Sequence, residues 1–356
     1  MSVGIACQAF GYGGGMERYA MDLVNGLTQL GIRPVVFATR FEQSIPEYRC
    51  IEPVTIKVRG VPGKLRDHWF DARQNHLKAT FGIDLLIACK RTGASDVAIC
   101  GGTHIGHLRS QGRTGGFWDR QQIALERRHY MNARVVIAHS RLMADELRRD
   151  YGVPAERLHV LYPPVDTSKF SPADDAQRRA LRARLELPDD KLVFLFPSSG
   201  HERKGYPLLA DFFERTTLPV MLAVVGRPVC SPSPNIRYLG FRQDIENCYR
   251  AADFTILASL YEPFGLVGPE SVLCGTPTVL ADNIGATEVL DDDSVFTFDR
   301  RNPVTLAAAV DRALALHRAG RGRLHPPSSH LRYNPSVRAH VTALLEVARA
   351  ASLGPA

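Results

Sequence analysis

Residues 253–281 read "DFTILASLYEPFGLVGPESVLCGTPTVLA", and the order of residue types in this stretch decides the fold. "DFTILAS" is a short apolar run of the kind that forms a buried strand. Proline at 269 is tolerated only in the first turn of a helix, and Gly275 suits the position just past a helix end. The spacing therefore predicts a helix starting near Val267–Gly268, followed by a second strand in "TPTVLA". Two glutamates flank the turn. Glu270 lies about one turn into the helix, where the helix dipole stabilises a carboxylate. Glu262 precedes the turn and needs another partner, a sugar hydroxyl or a cation. The amides of 265–268 are expected to be free donors for an anion at the helix start.

The same alternation runs outward in both directions. Strands are expected at Val3–Ala9, Val35–Thr39, Leu85–Ala88 and Val135–His139, then at Leu192–Phe196, Val220–Val225, Phe254–Ala258 and Thr278–Ala281. Helical spacing falls between them: Met16, Tyr19, Ala20, Leu23, Val24, Leu27 and Leu30 share one face, with Gly31 as the stop. Repeated β-α alternation implies parallel sheets flanked by helices, an α/β class. The pattern breaks at "LYPPVDTSKFSPADD" (161–175), where adjacent prolines and polar residues interrupt it. Two Rossmann-like doubly wound domains facing a central cleft are expected, 1–165 and 166–334.

Composition supports this. A chain of 356 residues is long enough for two cores, because single cores stop growing at roughly 250–300 residues. Seven scattered cysteines without a C-x-x-C argue against a disulfide framework and for a reduced, cytoplasmic setting. "MSVGIACQAF" lacks the basic and apolar regions of a secretory signal and reads as a first strand. The net charge of +7 is uneven: residues 1–165 hold 22 Lys and Arg against 15 Asp and Glu, and the remainder is balanced. That excess is either ordinary solvated helix faces or a surface that meets anionic lipid or a phosphorylated acceptor. Nucleic-acid binding is disfavoured, because no recognisable module or aromatic interleaving accompanies the charge.

Ligands of open parallel sheets bind outside the carboxyl ends of the strands, and two further unusual loops lie there. "FGYGGGMERYA" (10–20) has four glycines in five positions, a backbone that another group can approach closely. It is neither a dinucleotide fingerprint, since Arg18 stands where the third glycine belongs, nor a P-loop. "PSSGHERKGYPLL" (197–209) places Arg203 and Lys204 before Gly205, with Pro207 suited to a helix start. Two cations there favour a diphosphate, the arginine by its donor fork and the lysine as a point charge.

Glu262-x7-Glu270 within "SLYEPFGLVGPESVLCGTPTVLADNIGATEVL", together with "RKG", the "GGG-M-E-R" loop and "GVPAERLHVLYPPVD", resembles the retaining glycosyltransferases of family 4. The likeness spans nearly the whole chain and is greatest to bacterial enzymes of lipopolysaccharide and surface-polysaccharide assembly. It implies the GT-B fold, with 1–165 on the acceptor side and 166–334 binding a nucleotide-sugar donor. A helix in 335–356 would cross back to the first domain. It further implies that Gly14 and Gly15 lie against the donor diphosphate, and that Arg203, Lys204 and the amides of Phe264, Gly265, Leu266 and Val267 neutralise it. Glu262 would bind the transferred sugar and Glu270 the ribose, with "YLGFRQD" (238–244) framing the base. Many relatives carry an arginine where this chain has Ser199. Many also have a histidine near the sugar, for which "CGGTHIGH" (100–107) offers His104, the preferred candidate, and His107.

The implied reaction moves a hexose, UDP-glucose being the expected donor, to a glycan or lipid-linked acceptor with retention. An anionic membrane surface on the cytoplasmic side is a further partner. No cofactor is expected, and no metal, since no donor loop contains Asp-x-Asp. A zinc site at Cys100, His104 and His107 would lack a fourth ligand. Asp96 in "TGASDV" is either a loop cap or part of this region. The alternatives are a nucleotide-sugar epimerase on the same fold and a non-catalytic binding subunit. Domain closure would position the reactants and exclude water.

Overall fold

The computed structural model describes residues 2–231 and 233–352, and the chain divides into two compact units, Met1–Pro164 with Asn334–Ala356, and Val165–Tyr333. The first unit is built on a seven-stranded parallel sheet: β1 (Val3–Ala6), β2 (Val35–Ala38), β3 (Glu52–Thr55), β4 (Leu85–Ala88), β5 (Val97–Cys100), β6 (Val135–Ala138) and β7 (Leu158–Val160). Their spatial order is β3-β2-β1-β4-β5-β6-β7. Helices α1 (Gly15–Gln29), α2 (Arg66–Thr80), α3 (His104–Ser110), α4 (Phe117–Asn132) and α5 (Arg141–Glu146) connect strands.

The α1 stripe is buried as its spacing demands, from Tyr19 through Leu27. Its companion is the C-terminal helix, Val337–Ser352, which buries Val341, Leu344, Leu345 and Ala348 in the same core. A Cβ at Gly26 would lie 2.4 Å from Val341 Cγ2, so the glycine sets how closely the two helices approach. Tyr19 Oη and His340 Nε2 are 2.7 Å apart within this packing. Burial keeps three imidazoles of this unit uncharged, pulling His129 and His340 down to about 4 and His139 to about 3.

β5 has no counterpart among the expected strands. It follows β4 after an eight-residue connection with no helix, so the strand-helix rhythm skips it. Asp96 explains the connection: its carboxylate accepts the Leu86 amide at 2.8 Å and the Lys78 ammonium at 2.7 Å. Its role is therefore that of a structural cap. Edge strands β3 and β7 were also unread, being three or four residues long and partly exposed.

The second unit repeats the plan with six parallel strands: β8 (Leu192–Ser198), β9 (Val220–Gly226), β10 (Ile236–Tyr238), β11 (Phe254–Leu257), β12 (Thr278–Ala281) and β13 (Val295–Phe298), ordered β10-β9-β8-β11-β12-β13. Its helices are α6 (Asp175–Arg184), α7 (His201–Lys204), α8 (Tyr206–Arg215), α9 (Ile245–Ala251), α10 (Val267–Leu273) and α11 (Pro303–Arg318). α10 starts where Pro269 requires. It ends in a Schellman closure, with Thr276 N donating to Ser271 O at 3.0 Å and Gly275 N to Val272 O at 2.8 Å. Among the described residues no helix is long and apolar enough to cross a membrane.

Candidate active site

In each sheet the order reverses beside the strand that starts the unit, β1 or β8, where doubly wound folds hold ligands. In the second unit the loops leaving β8 and β11 meet there. Backbone bonds hold them together: Leu260 N donates to Arg203 O at 2.8 Å, and Ala258 N to Lys204 O at 3.3 Å. Gly205 makes this possible. Its φ is +82°, and a Cβ would fall 1.9 Å from Ala258 O.

This stitching brings two adjacent cations onto one oxygen of a carboxylate almost sixty positions further along the chain. Glu262 Oε2 accepts from Lys204 Nζ at 2.7 Å, Arg203 Nη1 at 3.2 Å and Ser259 Oγ at 3.2 Å. Among the described residues Oε1 takes no hydrogen bond, and Glu262 is left with one oxygen able to accept another donor. Burial alone would raise the Glu262 carboxyl, but the Lys204 and Arg203 charges outweigh it and hold it below the usual range. Of the two kinds of partner expected for Glu262, a sugar hydroxyl or a cation, the chain itself supplies the cation, Lys204, seconded by Arg203. Two cations against one carboxylate leave this cluster a net positive charge.

The 259–265 loop is fixed from the side of β12. Glu262 pairs with Ile284 in an isolated parallel bridge, and Gly285 N donates to Glu262 O at 3.2 Å. Asn283 Nδ2 donates to Ser259 O and Leu260 O, each at 3.1 Å. Gly265, with φ +90° and its Cβ position 3.0 Å from Glu262 Cγ, completes the turn. Asn283 is a positioning residue that sequence reasoning missed; its only signal was an amide within "ADNIGATE".

One expectation for α10 needs correction. The amides of 265–268 are not all free, because Gly268 N donates to Gly265 O at 3.0 Å. Pro269 has no N–H, so among the described residues the Gly265, Leu266 and Val267 amides remain at this end; the Phe264 carbonyl accepts Ala286 N. Glu270 is 6% exposed, and Tyr249 Oη donates to its Oε2 at 3.0 Å. Tyr249 was not read from sequence, because it sits on α9, 21 positions away. Tyr333 is close by: burial, then the Glu270 charge, pushes its hydroxyl well up. Ser199 is exposed in the turn after β8, and Tyr238 and Phe241 are also exposed, Phe241 at 77%.

In the first unit the glycine loop leads into α1. Gly14 is the N-cap, but its amide donates to Glu17 Oε2 at 3.0 Å, so the helix supplies its own carboxylate. Gly15 is open, with nothing within 4 Å of a Cβ. His104 starts α3 and its Nε2 lies 2.8 Å from Asp119 Oδ1. Cys100 is buried and receives the Tyr130 hydroxyl, with burial pushing its thiol up to about 12. Among the described residues no three His, Cys, Asp or Glu side chains converge as a metal site.

A cavity of about 470 Å³ opens in this unit at the ends of β1, β4 and β5, lined by Gln8, Asp67, Cys89, Lys90, Arg91 and Glu126 among others. Its charges are matched. Lys90 pairs with Asp67, and Arg91 Nη2 lies 2.6 Å from Glu126 Oε1. None of these four was read from sequence, since each pair spans more than twenty positions.

Comparison with known proteins gives the geometry its family. Residues 13–169 match the description Glycosyltransferase Family 4, and 177–321 match Glycosyl transferases group 1. A probable transglycosylase of Burkholderia thailandensis is 49% identical over 355 residues, covering 99% of this chain and 98% of that protein. The chain belongs to the family 4 glycosyltransferases. Solved structures agree on the fold of this glycosyltransferase. WaaG, described as a glycosyltransferase involved in lipopolysaccharide biosynthesis, superposes with a TM-score of 0.74 at 17% identity, covering 99% of both chains. Anabaena HepE, solved with UDP and glucose, gives 0.71 at 18% identity, covering 99% of this chain and 98% of that one. The two parallel, doubly wound units are those of a GT-B enzyme.

Proposed function

We propose that this glycosyltransferase moves a hexose from a nucleoside diphosphate sugar, UDP-glucose being the first candidate, to a hydroxyl of a glycan or glycolipid with retention at the anomeric carbon. The observation that carries the reading is the Lys204–Glu262–Arg203 cluster, net positive and with Glu262 Oε1 left to accept a hydroxyl. The HepE complex with UDP and glucose supports the donor, and the description of WaaG supports a role in cell-surface glycan synthesis.

In this mechanism the bond from the anomeric carbon to the diphosphate oxygen breaks, and a bond to the acceptor oxygen forms on the same face. The transition state is oxocarbenium-like. Negative charge grows on the departing diphosphate, where Lys204 and Arg203 meet it, with the Gly265–Val267 amides beside them. The acceptor proton passes to the departing phosphate oxygen, so the cluster needs neither a separate base nor a metal. Glu270, held by Tyr249, takes the ribose hydroxyls. The family resemblance assigns Gly15 to the donor diphosphate and His104, whose Nε2 is bonded to Asp119, to the transferred sugar.

The acceptor is assigned to the cavity of the first unit. Its cations are already neutralised by Asp67 and Glu126, and His129 in its wall is uncharged. Such a lining offers hydrogen bonds without net attraction for an anion, which suits sugar hydroxyls more than a phosphate.

The test is a panel of nucleoside diphosphate sugars, following slow hydrolysis and thermal stabilisation. One sugar nucleotide should raise Tm and be hydrolysed, and Glu262→Ala should abolish the hydrolysis. Absence of binding by every member of the panel would refute the assignment.

A further inference from the structure

The chain has two tryptophans, and neither is in a core. Trp69 is 46% exposed and Trp118 is 41% exposed. Both lie in the first unit, on segments 57–69 ("KVRGVPGKLRDHW") and 109–120 ("RSQGRTGGFWDR"). The two segments meet: Lys64 Nζ sits over the Trp118 ring, 4.9 Å from its centroid. Trp69 Nε1 donates to Lys57 O at 3.1 Å, and Phe117 stacks edgewise on Trp118 at 5.2 Å. Leu65 and Phe117 are exposed alongside them, at 44% and 59%. Two indoles, a phenyl ring and a leucine facing water together are costly, and nothing in the cores of this unit requires it.

The charge around them is one-sided. These segments carry Lys57, Arg59, Lys64, Arg66, Arg109, Arg113 and Arg120. Their only carboxylates are Asp67 and Asp119. Asp67 is held by Lys90, and Asp119 is bonded to His104 and the Gly116 amide. Among the described residues, Lys57, Arg59, Lys64, Arg66 and Arg120 form no ion pair.

We infer that this surface docks on an anionic lipid bilayer, with Leu65, Trp69, Phe117 and Trp118 entering the headgroup–acyl boundary and the surrounding lysines and arginines meeting lipid phosphates. The chemistry of the patch selects this occupant. Tryptophan has an apolar body with a polar tip and is favoured at membrane interfaces, where lysine and arginine stems also lie along apolar surface. A basic rim around an apolar centre matches a negatively charged surface. The inference is independent of the donor assignment, since no patch residue belongs to the Lys204–Glu262–Arg203 cluster.

Because both tryptophans lie in the patch, tryptophan emission of the whole protein, excited to the red of the absorption of its eleven tyrosines, reports on the patch alone. The protein is titrated with phosphatidylcholine vesicles, with vesicles containing phosphatidylglycerol, and with the latter carrying brominated acyl chains. Emission should shift to the blue only with phosphatidylglycerol present, and brominated chains should quench it. Leu65→Asp with Phe117→Asp should abolish the shift while leaving nucleotide-sugar hydrolysis and Tm unchanged. Lys64→Glu should weaken partitioning by about fivefold or more, the effect of one cation near an anionic surface, and added salt should weaken it further. An unshifted emission with anionic vesicles would overturn the inference. So would a shift without quenching, or an equal response to phosphatidylcholine alone; either would point to a protein partner or a generic apolar contact.

Discussion

Replacing Lys204 by methionine keeps the stem and removes the charge 2.7 Å from Glu262 Oε2. Both side chains are nearly nine-tenths buried, at 11% and 13% exposure. The Coulomb attraction at that distance is about 6 kcal/mol with an effective dielectric of 20, a ceiling rather than a net value. Breaking a buried pair from one side costs about 3–5 kcal/mol, and Arg203 at 3.2 Å retains part of the attraction. The direction follows from the wild type, where burial raises the carboxyl and the two cations outweigh it. Without Lys204 the carboxyl protonates at higher pH. The acid limb of kcat/KM should therefore move to higher pH. At the optimum, kcat should fall by about 10²–10³, because the departing diphosphate loses its point charge. The assay is the initial rate of nucleotide-sugar turnover from acid to neutral pH, with Tm measured in parallel. Lys204→Arg should restore the acid limb and part of the rate, since the charge returns in a different shape. An unmoved acid limb with less than about a tenfold loss in rate would refute the reasoning.

Three further outcomes follow from the same structure. Gly205→Ala should lose about 3 kcal/mol or more of stability in chemical denaturation, because its Cβ would lie 1.9 Å from Ala258 O at a φ of +82°. Gly15→Ala should instead gain roughly 0.5–1 kcal/mol, as an open position in the first turn of α1, while raising KM for the donor that passes close to it. The buried imidazoles give the first unit an acid limb of stability. The unfolded histidines take up protons below about pH 6.5, whereas His129 and His340 stay neutral to about 4 and His139 to about 3. Stability should therefore fall as pH drops through this window, by up to about 1.4 kcal/mol per pH unit for each histidine. His139→Phe should make that fall about one-third shallower, since one of three such groups is removed.

What could be read from the sequence was whatever local stereochemistry dictates. Pro269 and Gly275 bracket α10 because a ring without an N–H and a residue free to take positive φ each leave few choices. The α1 stripe was legible for the same reason, as period 3.6 survives without neighbours. β5 was not, because its connection to β4 is held by the Asp96 carboxylate rather than by a helix. Glu262 and Glu270 stood out by residue type and spacing, yet their partners did not. Lys204 meets Glu262 across 58 positions, and Tyr249 meets Glu270 across 21. Such pairings depend on strand order, which a single sequence does not encode locally. Gly14 lies in the glycine loop read as backbone that another group can approach, and the bond from its amide to Glu17, three residues on, was not read from that composition.

The central claim is that Glu262 touches the sugar while Lys204 and Arg203 hold the diphosphate. Calorimetric titration of the wild type and Glu262→Gln, each with the nucleotide sugar selected by the panel and with the bare nucleoside diphosphate, separates the two contacts. The account predicts that Glu262→Gln weakens the nucleotide sugar by about 10- to 100-fold, the loss expected for a hydrogen bond to a charged group. Affinity for the bare diphosphate should hold or rise, because its two cations are released from the carboxylate. Equal effects on both ligands, or none on either, would contradict it.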